Sequence, residues 1–284
     1  MMITTLVKDA TNQLKASSSP RLDAEILLAH VLQLSRSYLR TWPEHLISVE
    51  QQQAFQLLLE RRIHGEPIAY LIGHREFWSL PLSISKDTLI PRPETEGLVE
   101  MALALANEHS SWQIADLGTG SGAIALALAS ERPNWQVLAS DIDKASLDLA
   151  QQNAQQLALT NIEFIQSDWF AAITPRLFDL IISNPPYIAA HDPHLSQGDV
   201  RFEPRRTLVA AEEGLQALRH IISQATAYLK KGAWLMVEHG HTQSEAVQAI
   251  FKQQGYVNIQ VANDYAGIAR FVGAQYKLAT SFHS

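Results

Sequence analysis

The chain has 284 residues, room for one large domain and a small one, and its 46% apolar and 18% charged residues are the composition of a folded globular protein. Its 22 lysines and arginines against 29 aspartates and glutamates leave a net charge of −7, the wrong sign for gripping a nucleic-acid backbone over a broad surface. The absence of cysteine excludes disulfides, thiolate metal sites and a cysteine nucleophile, and suits a reducing compartment.

The opening MMITTLVKDATNQLKA lacks the apolar stretch of a signal peptide, and no apolar run approaches the roughly 18 residues that span a bilayer. A soluble cytoplasmic protein with no membrane partner is the expectation. Residues 1–73 read as short amphipathic helices. Ser19 before Pro20 predicts an N-cap and first helical residue, with Leu22, Ile26, Ala29 and Leu32 at helical spacing. Ser48 and Gln51 have capping-box spacing ahead of a helix that sends Phe55, Leu58 and Leu59 toward a core. Residues 74–88 are predicted as a β-hairpin linker, because Trp78, Leu80, Leu82 and Ile84 alternate with period two and Pro81 marks an edge or turn. From residue 89 to 284 the pattern becomes α/β. Gln113–Leu117, Gln136–Ser140, Ile162–Ser167, Phe178–Ser183 and Ala233–Glu238 are predicted strands separated by helix-length segments, the signature of a parallel sheet covered on both faces.

Asp116-Leu117-Gly118-Thr119-Gly120-Ser121-Gly122 falls between a predicted strand and a predicted helix, the first βα turn, where folds of this kind bind nucleotides. Glycines there allow tight turns and close ligand approach, and the amides opening the next helix favour an anionic group. The loop alone leaves the ligand open, since Gly118, Gly120 and Ala123 also satisfy a dinucleotide fingerprint and Asp141 follows at about the distance of a ribose acceptor. Asp143 competes with Asp141 for that role but reads better as the N-cap of the helix opening at Lys144. At the next strand end, Trp169 suits stacking on an adenine and Asp168 its amino group. A packing role is the alternative for the tryptophan.

Phe178–Ser183 runs directly into Asn184-Pro185-Pro186-Tyr187, the most specific signal in the chain. An amide or aromatic amino nitrogen is a poor nucleophile, because its lone pair is delocalised, so a catalyst must hold the NH₂ and aim it. The Asn184 side-chain oxygen and the Pro185 carbonyl each accept one N–H in this reading, and the locked φ angles of Pro185 and Pro186 preorganise them. Tyr187 supplies a wall against which a planar group stacks. Hydride transfer has no use for two acceptors on an NH₂ group, so the tetrapeptide decides against NAD. Flipped adenine in DNA is the rival substrate, and the acidic chain offers no basic surface or base-reading element for it. A noncatalytic binding module is the second rival, opposed by the intact tetrapeptide.

With these motifs the sequence resembles the bacterial protein-(glutamine) methyltransferases that modify class I release factors. The resemblance spans nearly the whole chain and rests also on Arg21–Leu28, Gly65–Leu71, Arg75–Trp78 and Leu89–Glu96, the last being distinctive of the family. It implies a Rossmann-like, seven-stranded, S-adenosylmethionine-dependent domain and a helical domain that helps dock the release factor. Gly118, Thr119, Gly120, Ser121, Gly122, Asp141, Trp169 and Asn184 would contact S-adenosylmethionine, leaving S-adenosylhomocysteine as product, and Asn184, Pro185, Pro186 and Tyr187 would hold the glutamine of a Gly-Gly-Gln loop. The resemblance departs at Asp264–Arg270, where the family pattern has an acid before the arginine and this chain has Ala269. Arg201, Arg205 and Arg206 read equally as partner contacts or as a solvated loop. His191 with His194, and His239 with His241, lack the acid-rich company of a metal site, so no metal is expected. Nor is sequence-specific nucleic-acid binding.

Overall fold

The computed structural model describes residues 1–277. Contacts divide the chain into two units, one of residues Met1–His74 with Pro193–Phe202, the other of Arg75–Asp192 and the chain from Glu203 onward. No local pattern in the sequence marks 193–202 as part of the helical unit.

In the first unit, helices α1 (Ile3–Gln13), α2 (Pro20–Leu32), α3 (Arg36–Thr41), α4 (Val49–Ile63) and α5 (Ile68–Ile72) close around Ile3, Ala24, Leu27, Leu28, Phe55 and Leu59. The capping box forms as expected, with the Ser48 hydroxyl accepting from Gln51 N (3.2 Å) and Gln51 Oε1 from Ser48 N (3.1 Å). At α2, Ser19 is the N-cap and Pro20 the first helical residue, as expected, although the Ser19 hydroxyl makes no cap bond and donates to Asp23 Oδ1 (3.0 Å) instead. The expected apolar stripe is not the buried one. The buried stripe is Asp23, Ala24, Glu25, Leu27, Leu28 and Ala29, while Leu22 is exposed, because α2 packs against both α1 and α4 and buries a broader face than one stripe.

That face carries two acids into the core. Asp23 meets Arg62 (2.8 Å), whose other nitrogen reaches Asp199 (3.1 Å) and so joins segment 193–202 to the helices. Burial pushes the Glu25 carboxyl up, but hydrogen bonds from Arg40 (2.8 Å), Arg36 (2.9 Å) and Arg21 (3.0 Å) overcome it and hold the group down at about 2. A depressed value stabilises the fold above the unfolded value near 4.3 and is lost as pH falls toward 2. Glu25→Gln is therefore expected to cost about 2 kcal/mol at pH 7, and urea titration at pH 7 and pH 3 checks it by a wild-type advantage that shrinks at the lower pH.

The second unit begins at Arg75, inside a hairpin of β1 (His74–Phe77) and β2 (Leu80–Ser83) turned by Trp78 and Ser79 at φ +53° and +57°. Such a turn normally carries Asn-Gly. Here Trp78 is tied instead by its backbone N–H to Glu96 (2.8 Å) and its indole N–H to Glu131 (2.8 Å). The remaining elements are α6 (Glu96–Ala104), β3 (Gln113–Leu117), α7 (Ala123–Glu131), β4 (Gln136–Asp141), α8 (Lys144–Gln156), β5 (Ile162–Gln166), β6 (Phe178–Ser183), α9 (Gln216–Gln224), β7 (Leu229–Glu238), α10 (Ser244–Gln253), β8 (Val257–Asn263) and β9 (Ala269–Gln275).

Seven strands form one sheet in the order β5-β4-β3-β6-β7-β9-β8, parallel as far as β7, with β9 antiparallel to β7 and to β8. The α/β class read from the residues and the seven strands implied by the resemblance are both present, with β9 departing from the expected parallel arrangement. Central strands β3 and β6 are buried almost throughout, as parallel strands covered on both faces must be. Strand order reverses between β3 and β6, so a crevice opens at their carboxyl ends. Every motif singled out from Asp116 to Tyr187 sits on that one edge.

Candidate active site

The turn after β3 is built by positive φ at Gly118 (+74°), Gly120 (+56°) and Gly122 (+89°), which L side chains rarely adopt. Gly118 and Thr119 both donate their N–H to Ser140 O (2.8 and 2.9 Å), locking the turn to β4. Beneath it, the fully buried Asp116 accepts from the Thr119 hydroxyl (2.6 Å) and Ala125 N (3.2 Å) through Oδ2, while Oδ1 has no partner. Asp141, at the end of β4, accepts from Gly120 N (2.8 Å) and Asp143 N (2.9 Å), one amide to each oxygen. Each oxygen keeps a lone pair for a ligand hydroxyl. Asp143 caps α8, accepting from Ser146 N (3.0 Å), as its position suggested.

Gly118, Gly120, Asp141, Trp169, Asn184 and Pro186 line one cleft of about 470 Å³. Thr119 and Ser121 are instead buried under the turn, and Gly122 is the N-cap of α7 against Ala150. Trp169, held at φ +49°, is half-buried over the bare Cα of Gly118, lines the cleft and packs on the main core. The Ser167 hydroxyl donates to Trp169 O (2.8 Å) and fixes that bend. A segment that lends Thr207, Val209 and Ala210 to the lining is held by Ile188 N donating to Leu208 O and Ala210 N to Ile188 O. It brings Arg206 to the cleft, where it reaches Asp143 (2.5 Å) and Asp87 O (2.8 Å). Arg205 bonds Ala190 O, and Arg201, in the helical unit, bonds His64 O.

The tetrapeptide is anchored by residues that sequence reasoning gave no role. Asn184 donates its Nδ2–H to Thr95 Oγ1 (3.2 Å), Thr95 donates to Glu238 Oε2 (2.7 Å), and Tyr187 donates its hydroxyl to Glu238 Oε1 (3.1 Å). The Tyr187 carbonyl accepts from Gln243 Nε2 (3.0 Å), which also bonds Glu213 O (2.9 Å). Thr95 falls in the Leu89–Glu96 segment, and Glu238 ends a predicted strand beside the tetrapeptide's own. Those were the available signals.

Burial pushes both buried acids up to about 7, Asp116 aided by the charge of Asp141 and Glu238 by that of Glu94. Arg270, which bonds Asp264 (3.3 Å), opposes the rise at Glu238, so it contributes to the site's field despite Ala269 beside it. Values above those of the unfolded chain mean that the folded state holds protons the unfolded state has released. Stability then falls as pH climbs from about 4 to 7, with the full loss above 7. The urea midpoint is expected to drop between pH 5 and pH 8, and Asp116→Asn to flatten part of that drop; parallel curves would refute the assignment.

The histidines are dispersed. His191 lies 3.5 Å from Glu213 on the surface, and buried His239 bonds Gly240 O (2.8 Å). Among the described residues no group of three or more His, Asp or Glu is placed to hold a metal, and no helix is long and apolar enough to cross a membrane.

The sheet order, the glycine turn with its paired acids and the Asn184–Tyr187 segment ending β6 together define a methyltransferase of the S-adenosylmethionine-dependent class. Family models described as PrmC N-terminal domain and Methyltransferase small domain match residues 5–73 and 98–199. The release factor glutamine methyltransferase of Salmonella typhimurium is 53% identical over 262 residues, covering 92% of this chain and 94% of its own. That of Escherichia coli is 51% identical over 270 residues, covering 95% and 97%. The chain belongs to the release factor glutamine methyltransferase family. Among solved structures, a methyltransferase from Pyrococcus furiosus shares the fold, with TM-score 0.54 at 16% identity over 77% of this chain and 98% of its own.

Proposed function

We propose that this chain methylates the side-chain amide nitrogen of the glutamine in the Gly-Gly-Gln loop of class I release factors. The observation that carries the reading is the state of Asn184. Its amide is held by the nitrogen end, which leaves its oxygen as an acceptor at the cleft.

The cleft suits S-adenosylmethionine. The two remaining Asp141 lone pairs match a hydroxyl donor, and the Trp169 ring offers a flat apolar face for a base. When bound, this group supplies a methyl carbon activated by a positive sulfur. Gly118, Gly120, Asp141, Trp169 and Asn184 would hold it, with Thr119, Ser121 and Gly122 shaping the turn. Asn184 Oδ1 and the Pro185 carbonyl each accept one N–H of the substrate amide, and Tyr187 backs its plane. The nitrogen, so held, would be aligned to bond to that methyl carbon as the carbon–sulfur bond breaks and sulfur keeps its electron pair, and the extra N–H proton would pass to water. Catalysis then consists of holding the reactants about 3–3.5 Å apart and aligned. No metal enters this reading.

The helical unit, residues 1–73, is the proposed release-factor docking element, 74–88 a linker and 89–284 the catalytic domain. A protein substrate fits the net charge of −7 better than DNA does, and a translation substrate supports a cytoplasmic location. Incubation with labelled methyl donor and purified release factor tests the reading. Label is expected on the release factor, absent when its loop glutamine is replaced, and absent from DNA; label on DNA alone would support the adenine rival.

A further inference from the structure

We propose that Thr95 and Glu238 are positioning residues that set which end of the Asn184 amide faces the substrate, and that Glu238 at the same time holds Tyr187 in place. The inference rests on the methyl-transfer reading above and deepens it.

An asparagine amide is nearly symmetric in shape, and only its hydrogen-bond partners decide whether oxygen or nitrogen faces the cleft. For an NH₂ substrate the difference is complete: an outward oxygen accepts the substrate N–H, whereas an outward NH₂ meets it donor to donor. With Glu238 ionised the arrangement admits one answer. A carboxylate only accepts, so with Glu238 ionised the single Thr95 hydroxyl proton points to Oε2 at 2.7 Å. Thr95 Oγ1 then has only lone pairs to offer Asn184, which must present Nδ2 at 3.2 Å and turn Oδ1 away. The second carboxylate oxygen takes the Tyr187 hydroxyl at 3.1 Å. One buried carboxylate thereby orients both the acceptor and the aromatic wall of the tetrapeptide. Thr95 is 4% and Glu238 2% exposed, so no water competes for these bonds.

The groups facing Glu238 are consistent with this direction of donation. Thr95 and Tyr187 donate to it, and Arg270 favours its charged form against burial and Glu94. A neutral carboxyl with its proton on Oε2 would free the Thr95 hydroxyl to donate toward Asn184 and turn the amide round.

Three substitutions separate positioning from packing. Thr95→Val keeps the shape and removes the hydroxyl, Thr95→Ser restores it, and Glu238→Gln keeps the volume but accepts at one end only, so that Thr95 and Tyr187 cannot both be served. Methyl transfer to purified release factor is read as kcat and KM, and S-adenosylhomocysteine affinity by calorimetry reports that the cofactor cleft and the fold are intact. Thr95→Val and Glu238→Gln are expected to lower kcat about 10- to 100-fold with cofactor affinity unchanged within about twofold, and Thr95→Ser to recover most of it. In a double-mutant cycle, Thr95→Val added to Asn184→Ala is expected to cost nothing further, because Thr95 acts through Asn184. If Thr95→Val loses the fold, Thr95→Ala and Thr95→Ser carry the same comparison. Wild-type kcat in Thr95→Val, or additive losses in the cycle, would overturn the positioning role alone. A wild-type enzyme that transfers no methyl to release factor would sink the functional reading and this inference with it.

Discussion

Asn184→Ala is expected to cut kcat at least 10²-fold while the affinity for S-adenosylmethionine stays within a few-fold of wild type. The substituted side chain contributes one face of a cleft lined by many other groups, so most cofactor contacts survive. What is lost is the acceptor that strengthens as the amide nitrogen gives up its lone pair and its N–H bonds polarise. Such a contact is worth more in the transition state than in the ground state, and its removal appears in kcat. Steady-state kinetics with release factor, paired with calorimetry of the cofactor, checks both halves. Near-normal turnover would remove Asn184 from the mechanism.

Gly214→Ala is the second substitution with a large expected effect, and it touches neither reactant. An added Cβ would lie 2.0 Å from the Tyr187 carbonyl oxygen and 2.6 Å from Gln243 Nε2, at a backbone φ of +84°. The carbonyl and the glutamine that bonds it would both have to move, and Tyr187 closes the tetrapeptide. Overpacking against backbone and left-handed strain together point to a stability loss of about 2–4 kcal/mol. Displacing the acceptors by even part of an ångström is expected to lower kcat about 10-fold or more. Gly232→Ala is the control. Its φ is +78° but nothing lies within 4 Å of the added Cβ, so it should show strain without loss of turnover. Urea denaturation and kcat for the two variants decide the matter; equal effects would assign everything to φ and nothing to the contact with Tyr187.

What the sequence made legible was local. The glycine turn, the acid ending β4 and the tetrapeptide ending β6 each announce themselves within a few residues, and the parallel α/β alternation brings all of them to the carboxyl edge of one sheet. The capping box at Ser48 is equally local, with both its bonds formed.

What escaped was long-range. Thr95 and Glu238 are 143 positions apart and meet only because α6 and β7 pack together, so no spacing rule reveals them. Neither β8 nor β9 was read as a strand from its own residues. β8 is an edge strand whose polar and apolar positions mostly face solvent, and its partner β9 follows a turn closed by Asp264. At α2 the helix was legible, but its buried face was not, since two acids there are made tolerable by Arg21 one turn away on the same helix and by Arg36, Arg40 and Arg62 from elsewhere in the unit. Segment 193–202 joins the helices through Asp199 and Arg62, an ion pair spanning 137 positions. The Trp78-Ser79 turn lacks the glycine or asparagine that marks such turns, because side-chain ties to Glu96 and Glu131 replace the usual backbone preference.

The central claim is geometric: the end of β6 holds an NH₂ group by both hydrogens and presents its nitrogen to the methyl donor. A crystal structure with S-adenosylhomocysteine and a Gly-Gly-Gln peptide measures this directly. The account predicts the glutamine nitrogen within hydrogen-bond distance of both Asn184 Oδ1 and the Pro185 carbonyl, on a line toward the sulfur of the product. A glutamine bound away from residues 184–187, or an Asn184 amide turned with its nitrogen toward the substrate, would contradict it.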